Sequence, residues 1–265
     1  MKVSRSSAWL SGFYSALLLW WFVLYVFNFI DTPLNYSYAF AYGLVPLIGG
    51  LMGMASSTRW GFFRSAIGKA IFFLSLGLVT WGAGEMIWSG YNFFAQIEVP
   101  YPSLADVGFV VSWPLWGLGL YYLSFATGAK FGLKKHLGKL LLLVIPIIFV
   151  AISYQLLVVV ARGGVLTSNN DFLKVFFDLI YPFFDVLILT EVAIIYGLSL
   201  KFIGGKYKWP IIIILCGLAV NYFADFGFSY TTTVGSFYNG SWVDLLFSTA
   251  MFLVSFGVNN FTTES

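Results

Sequence analysis

Positions 138–160 of the chain read GKLLLLVIPIIFVAISYQLLVVV, and Lys139 is the only charged residue in this run. A run of about 20 apolar residues is long enough for a helix to cross the hydrocarbon core of a bilayer. The rest of the 265-residue chain has the same character, because 60% of its residues are hydrophobic, 9% are charged and its mean hydropathy is +0.87. Such a chain lacks the polar residues needed to cover a water-facing surface. The sequence therefore predicts an integral membrane protein.

Seven further apolar runs share these features, and connections rich in Gly, Ser, Thr, Asn or Lys separate them. Together the runs leave no room in the chain for a folded domain outside the membrane. We therefore predict an all-α integral membrane protein, a single domain built as a bundle of about eight transmembrane helices. The predicted spans are residues 8–30, 36–56, 66–91, 104–128, 138–160, 175–200, 209–230 and 242–258.

The basic residues predict how the bundle is oriented, because Lys and Arg in short connections are retained on the cytoplasmic side. If the N-terminus is inside, only Arg162 and Lys174 of the 14 basic residues lie outside. We therefore predict a multi-pass protein of the cell membrane with both termini in the cytoplasm. Its basic residues are expected to lie against anionic lipid headgroups and not to bind nucleic acid. The inner basic residues are Lys2, Arg5, Arg59, Arg64, Lys69, Lys130, Lys134, Lys135, Lys139, Lys201, Lys206 and Lys208.

Seven carboxylates fall within or at the ends of the predicted spans, and no Lys, Arg or His lies at comparable depth to pair with them. An ionised side chain at the bilayer centre costs about 2.5–3.5 kcal/mol, so such acids are rare unless they face a cavity, a partner or a cation. Six of the seven share the predicted outer half of the membrane, and Glu191 lies deeper. The seven are Glu85, Asp106, Asp178, Asp185, Glu191, Asp225 and Asp244.

These acids predict an acidic cavity, open to the outside, that binds a cation or a positively charged ligand or changes its protonation. Glu191 would continue an inner pathway from Asp185. For Asp106 and Asp244 the alternative role is that of helix N-caps, which accept hydrogen bonds from the first backbone amides of a helix. For the deeper acids the alternative is a protonated carboxyl in a structural hydrogen bond. The residues predicted to line the cavity are Glu85, Asp106, Asp178, Asp185 and Asp225.

The chain has a single histidine, His136, in a predicted inner loop, and a single cysteine, Cys216. These counts exclude an intramembrane histidine metal site, a thiolate cluster and an intramolecular disulfide. The Gly-x-Gly-Asp segment of intramembrane aspartyl proteases and the aspartate-rich metal motifs of prenyltransferases are also missing. We therefore predict no catalytic residue and no metal site, and the sequence identifies no cofactor.

The stretch at positions 84–120, GEMIWSGYNFFAQIEVPYPSLADVGFVVSWPLWGLGL, resembles the membrane sensor region that precedes diguanylate cyclase and histidine kinase domains in prokaryotic signalling proteins. In that family a Pro-Ser-x-Ala-Asp motif follows an outer loop and opens a helix. Tyr181-Pro182 followed by Asp185, and Ala224-Asp225, are similar to later segments of the same family. The matching residues are Pro102, Ser103, Ala105, Asp106, Pro114, Gly117 and Leu118, with Trp113 in place of the usual tyrosine.

This resemblance implies a sensor whose outward-facing cavity reads a ligand and passes a helix movement to a cytoplasmic output. Only residues 259–265 follow the eighth predicted span, so we expect a stand-alone sensory module that signals to a separate cytoplasmic protein through its basic inner loops. The other expected partners are the lipid bilayer and a second copy of the chain in a homodimer. Two alternatives stay open: a small transporter or cation or proton pathway that uses the intramembrane acids, and a membrane enzyme of unrecognised type.

Overall fold

The computed structural model describes residues 3–129, 135–165, 172–199 and 207–261, except for the side chains of Leu137, Asp178 and Ser199. The described residues form helices and their connections, with no strand among them. Five of the basic residues predicted to lie on the cytoplasmic side fall outside the described residues, namely Lys2, Lys130, Lys134, Lys201 and Lys206. The side chain of Asp178, predicted to line the cavity, also lies outside them.

Eight of the described helices are long and apolar enough to cross a membrane, which confirms the prediction of an all-α chain with eight such helices. This architecture is compatible with a multi-pass membrane protein. A short 3₁₀ turn, Phe62–Arg64, precedes α3, and a π-helical segment, Tyr154–Val160, continues α5. The helices are α1 Arg5–Val26, α2 Pro33–Thr58, α3 Ala66–Phe93, α4 Leu104–Ala126, α5 His136–Ser153, α6 Phe172–Ser199, α7 Lys208–Thr233 and α8 Trp242–Asn259.

Contacts between distant parts of the chain define two ends of the bundle. At one end Asn35 Nδ2 donates to the carbonyl oxygen of Asn239 at 2.8 Å. At the other end Trp60 Nε1 donates to the carbonyl oxygen of Phe261 at 3.0 Å. We call these the acidic end (residues 27–32, 94–103, 161–165 and 234–241) and the basic end (residues 59–65, 135, 207 and 260–261).

Six helices form a closed ring in which α2, α3, α4, α6, α7 and α8 follow one another and α8 returns to α2. Helix α1 packs outside this ring against α2 and α8, and α5 packs outside it against α6 and α7. The densest packing lies among α2, α3, α4, α7 and α8, which we call the packed core. Its centre contains fully buried large side chains such as Leu74, Trp116, Ile214 and Met251.

Small residues let the helices of the packed core approach closely. A Cβ atom added at Gly77 of α3 would overlap the indole ring of Trp116 on α4, whose side chain is 0% exposed. Close approach of this kind is the usual way in which helices associate in lipid, because apolar surface gains little there from burial. The α3–α4 contact therefore depends on the absence of a side chain at position 77.

Helix α6 of the ring and helix α5, which packs outside the ring and ends in the π-helical segment, are packed more loosely. We call these two helices the hairpin. Within 138–160 only Gly138, Ser153, Leu157 and Val158 are buried. In α6 the first residue with a described, buried side chain is Asp185, about halfway along the helix. The half of α6 nearest the acidic end therefore has no buried side chain among those described, whereas the buried side chains Ser153, Leu157 and Val158 of the other helix lie towards that end.

We predict that Gly77→Ala lowers the stability of the bundle by about 1–3 kcal/mol, because the added methyl group overpacks the α3–α4 contact. Gly90→Ala, on the same helix, is the matched control, since a Cβ at position 90 meets nothing within 4 Å. We expect it to change stability by no more than about 1 kcal/mol, in the stabilising direction that helix propensity favours. Thermal unfolding of the purified variants in detergent measures both effects. Equal unfolding midpoints for the two variants would contradict the packing argument.

Candidate functional site

Two carboxyl groups from neighbouring helices face each other at the boundary between the hairpin and the packed core. Asp185 of α6 is 2% exposed, and its carboxyl group lies close enough to that of Asp225 on α7 to share one hydrogen-bonded proton. Asp225 is half-buried. Two carboxyl groups close enough to share a hydrogen bond cannot both be ionised in apolar surroundings unless a cation lies between them; otherwise they share a proton. The net charge of the pair therefore depends on whether a proton or a cation is bound between the two carboxyl groups.

Asn221, one helical turn before Asp225 on α7, completes the pair. Its Nδ2 donates to Asp225 Oδ2 at 2.6 Å, and its side chain is 2% exposed. The oxygen of the same amide, Asn221 Oδ1, is fully buried and receives no hydrogen bond from the described residues. Asp185 Oδ1 is likewise buried and receives no hydrogen bond from them. Buried acceptors without a donor are rare in folded proteins, so these two oxygens require an explanation.

Tyr222 connects the pair to α5. Its hydroxyl group lies 3.1 Å from Ser153 Oγ, at the point where α5 passes into its π-helical segment. Tyr222 is also close enough to interact electrostatically with both Asp185 and Asp225. A second apolar cluster, formed by Leu157, Leu189 and Tyr222, surrounds this contact. Both helices of the hairpin therefore meet the packed core at the carboxyl pair.

Asp106 joins the hairpin to the packed core through a second polar contact. At the N-terminus of α4 its Oδ2 accepts a hydrogen bond from the backbone N–H of Ser103 at 2.6 Å, which forms a capping box. Its other oxygen, Oδ1, accepts a hydrogen bond from the hydroxyl group of Tyr181 on α6 at 2.8 Å. Tyr181 also interacts electrostatically with Asp225. Asp106 is thus the third helical residue of a capping box whose N-cap is Ser103, and not the N-cap considered from the sequence; it contacts α6 in addition.

A cavity of about 180 Å³ lies between α5 and α6. Ser153, the partner of Tyr222, forms part of its wall. Near the acidic end Arg162 also lines the cavity, and its Nε donates to Ser229 Oγ on α7 at 3.3 Å. The other lining residues are Val150, Tyr154, Val158, Leu179, Pro182, Phe183 and Val186.

Glu85 and Asp244 form a separate polar cluster on the other side of the packed core. Glu85 Oε1 accepts a hydrogen bond from Ser89 Oγ at 3.3 Å, and its carboxyl group faces the hydroxyl group of Tyr42 on α2. Asp244 lies in the first turn of α8, whose N-cap residue is Ser241, and its Oδ2 accepts a hydrogen bond from the backbone N–H of Gly240 at 2.6 Å. The two acids interact electrostatically with each other. The structure thus brings Asp106, Asp185 and Asp225 together and places Glu85 elsewhere.

Glu191 lies six residues after Asp185, about 9 Å further along α6 towards the basic end. Its Oε2 is buried without a hydrogen-bond partner and faces Gly117 of α4. Asp185, in contrast, faces α7. The two acids therefore lie on different faces of α6, and they do not form a continuous row along one side of the helix.

Several residues of the site did not stand out in the sequence. Asn221, Tyr222 and Ser153 have ordinary helix positions, and Tyr181 was noted only for its Tyr-Pro dipeptide. The spacing of Asn221 and Asp225, four residues apart in a long apolar run, is the one signal that indicates a shared face. The partners across helices had no signal, because hydropathy does not reveal which helices are neighbours.

No family model, no curated protein and no solved structure matches this chain. Among the residues that the structure describes, no group of three or more His, Cys, Asp or Glu side chains is arranged to hold a metal ion. The function must therefore be inferred from the arrangement of the site itself.

We predict that Tyr181→Phe destabilises the bundle by about 1–2 kcal/mol, because it removes a hydrogen bond to a buried carboxyl group and leaves Asp106 Oδ1 without its donor. Tyr196→Phe on the same helix is the control, since Tyr196 is 47% exposed. We expect the control to stay within about 0.5 kcal/mol of the unmodified protein. Chemical or thermal unfolding in detergent measures both, and a Tyr181→Phe variant as stable as the control would contradict the link between α4 and α6.

Proposed function

We propose that this protein is a multi-pass membrane sensor in which the occupancy of the Asp185–Asp225 pair controls how the hairpin packs against the core. One observation carries the proposal: the carboxyl pair lies at the boundary between the loosely packed hairpin and the packed core. Most of the other polar contacts between these two parts also lie here, including those of Tyr181 with Asp106 and of Ser153 with Tyr222. A change of charge at the pair therefore acts directly on the polar contacts that join the hairpin to the packed core.

The energy available from the pair is sufficient for such a change. Two unit charges about 4 Å apart repel each other by about 4 kcal/mol at an effective dielectric constant of 20. Shifting a two-state equilibrium from 1:99 to 99:1 requires about 5.5 kcal/mol, so loss of the occupant moves the equilibrium most of this way. Removing the proton or cation from between Asp185 and Asp225 therefore favours separation of α6 from α7.

The hairpin provides a route from the pair to the opposite end of the bundle. Helix α5 begins at His136 and α6 ends at Ser199, so both helices return to the basic end. A displacement at the carboxyl pair is carried there because helices move as rigid elements. We propose that a cytoplasmic signalling protein reads this movement at the basic end, where Lys135, Lys139 and Lys208 lie.

The resemblance to membrane sensor regions supports the same proposal. The Pro-Ser-x-Ala-Asp motif at residues 102–106 opens α4, and its aspartate both takes part in the capping box of that helix and accepts the hydrogen bond from Tyr181. The similar segments around Asp185 and Asp225 supply the two carboxyl groups of the pair. Asp106, Asp185 and Asp225 belong to the segments that carry the resemblance, and all three take part in contacts between the hairpin and the packed core.

The proposed orientation places the acidic end outside the cell and the basic end in the cytoplasm, as the distribution of Lys and Arg favours. Single cysteines in a Cys216→Ser background test it. We expect a membrane-impermeant maleimide added to intact cells to label Gln96→Cys, in the loop at the acidic end. Thr58→Cys, at the basic end, should be labelled only after the membrane is permeabilised. The reverse pattern would refute the orientation.

We predict that the hairpin moves relative to α7 when the carboxyl pair is ionised. Spin labels at Phe176→Cys on α6 and Tyr230→Cys on α7, in the Cys216→Ser background, report the distance. In buffers that contain choline in place of metal cations, we expect it to lengthen by at least about 2 Å between about pH 5 and about pH 9, the scale of known helix shifts. Asp185→Asn and Asp225→Asn should hold the low-pH distance at both pH values, because an amide has the shape of a protonated carboxyl without its charge.

Labels at Ile87→Cys on α3 and Leu104→Cys on α4 form the control pair within the packed core, and their distance should not change. A pH-independent Phe176–Tyr230 distance in the otherwise unmodified protein would refute the sensor proposal. A transporter is the second candidate, because Glu191 also has a buried, unpartnered oxygen. Cation or proton flux into liposomes that is lost in both Asp185→Asn and Glu191→Gln would identify the transporter instead.

A further inference from the structure

The oxygens around the carboxyl pair outnumber what one proton can satisfy. A proton shared by Asp185 and Asp225 makes a single hydrogen bond between the two carboxyl groups. It leaves the amide oxygen of Asn221 buried and without a donor. The reverse orientation of this amide would place two acceptors 2.6 Å apart at Asp225 Oδ2 unless a second proton lies on that oxygen. The cluster therefore has an acceptor for which the described residues supply no hydrogen.

A cation satisfies several oxygens at once, which a proton does not do. Carboxylate and amide oxygens are hard ligands, and they favour the cations of groups 1 and 2. None of the hydrogen bonds that Asp185, Asn221 and Asp225 make among the described residues comes from Lys, Arg or His. Among the described residues, the hydrogen bonds of the pair therefore provide no basic group that balances its negative charge.

The small number of ligands selects a monovalent ion. Calcium takes six to eight oxygen ligands and magnesium requires an octahedral shell. The described part of the chain offers two carboxyl groups and one amide oxygen here, with no third acid. A single monovalent cation together with one proton also leaves the two carboxyl groups neutral, which favours their burial among apolar helices.

We propose that Asp185, Asp225 and Asn221 bind one monovalent metal cation, for which sodium is the probe. We call this the sodium site, and the inference rests on the proposed function because it names the occupant of the same site. The ion is held by oxygens of α6 and α7 together. Its binding therefore stabilises the contact between the hairpin and the packed core, and its release weakens that contact.

The test measures the unfolding midpoint of the purified protein in detergent as sodium chloride replaces choline chloride at constant ionic strength. We expect sodium to raise the midpoint by about 5 °C at saturating concentration. The rise should disappear in Asp185→Asn, Asp225→Asn and Asn221→Ala. Asn221→Gln, which keeps both the amide oxygen and the N–H donor, should retain part of the rise and guards against simple misfolding of the alanine variant.

Asn259→Ala is the matched control, because Asn259 is a buried asparagine of α8 whose Nδ2 donates to the carbonyl oxygens of Gly49 and Ser255. We expect this variant to be less stable overall and yet to keep the full response to sodium. An unfolding midpoint that is the same in sodium and choline would overturn the sodium site. An equal response in Asn221→Ala and Asn259→Ala would overturn it as well.

The outcomes separate this inference from the proposed function. If the spin-label distance changes with pH while sodium has no effect, the pair responds to protons alone, so the sensor proposal stands and the sodium site is refuted. If sodium stabilises the protein through Asn221 while the Phe176–Tyr230 distance stays constant in all conditions, the sodium site stands and the sensor proposal is refuted.

Discussion

The carboxyl groups of Asp185 and Asp225 meet at the boundary between the hairpin and the packed core, and we propose that the docking of the hairpin depends on this contact. In the packed core, apolar side chains interlock over long helix contacts, and the absence of a side chain at Gly77 lets Trp116 fill the space between two helices. The hairpin has few such contacts, and polar groups take their place. Polar groups buried among apolar helices must form hydrogen bonds with one another. Although these polar contacts are few, each of them therefore constrains the position of α6 strongly.

The positions of the helices follow directly from the sequence, because a run of apolar residues long enough to cross a membrane has few other structures available. Local capping explains where such helices begin. Hydropathy starts the second span at position 36, whereas α2 begins at Pro33, because Thr32 and Asn35 form a capping box and proline fits the first turn of a helix. Ser103 and Asp106 likewise have the spacing of a capping box, in which Ser103 is the N-cap.

The grouping of the acids was beyond the sequence. Depth along each helix placed Glu85, Asp106, Asp185 and Asp225 at similar levels, which suggested one cavity. Which of them meet depends on the rotation of each helix and on its neighbours, and these are set by packing that hydropathy does not report. In the structure Glu85 faces Tyr42 on α2, whereas Asp185 faces Asp225 on α7. Asn221 was missed for a related reason, because an uncharged amide in an apolar run gives a weak signal.

Helix α1 lies outside the ring and is fastened to both ends of α8. The backbone N–H of Ser4 donates to Asn260 Oδ1 at 3.0 Å, and Trp21 Nε1 donates to the carbonyl oxygen of Ser241 at 3.0 Å. Between them the hydroxyl group of Tyr14 lies 2.6 Å from Thr249 Oγ1. Helix α1 therefore acts as a brace: α8 cannot slide along its axis without breaking contacts at both ends and in the middle, and the freedom to shift lengthwise is left to the opposite side of the bundle.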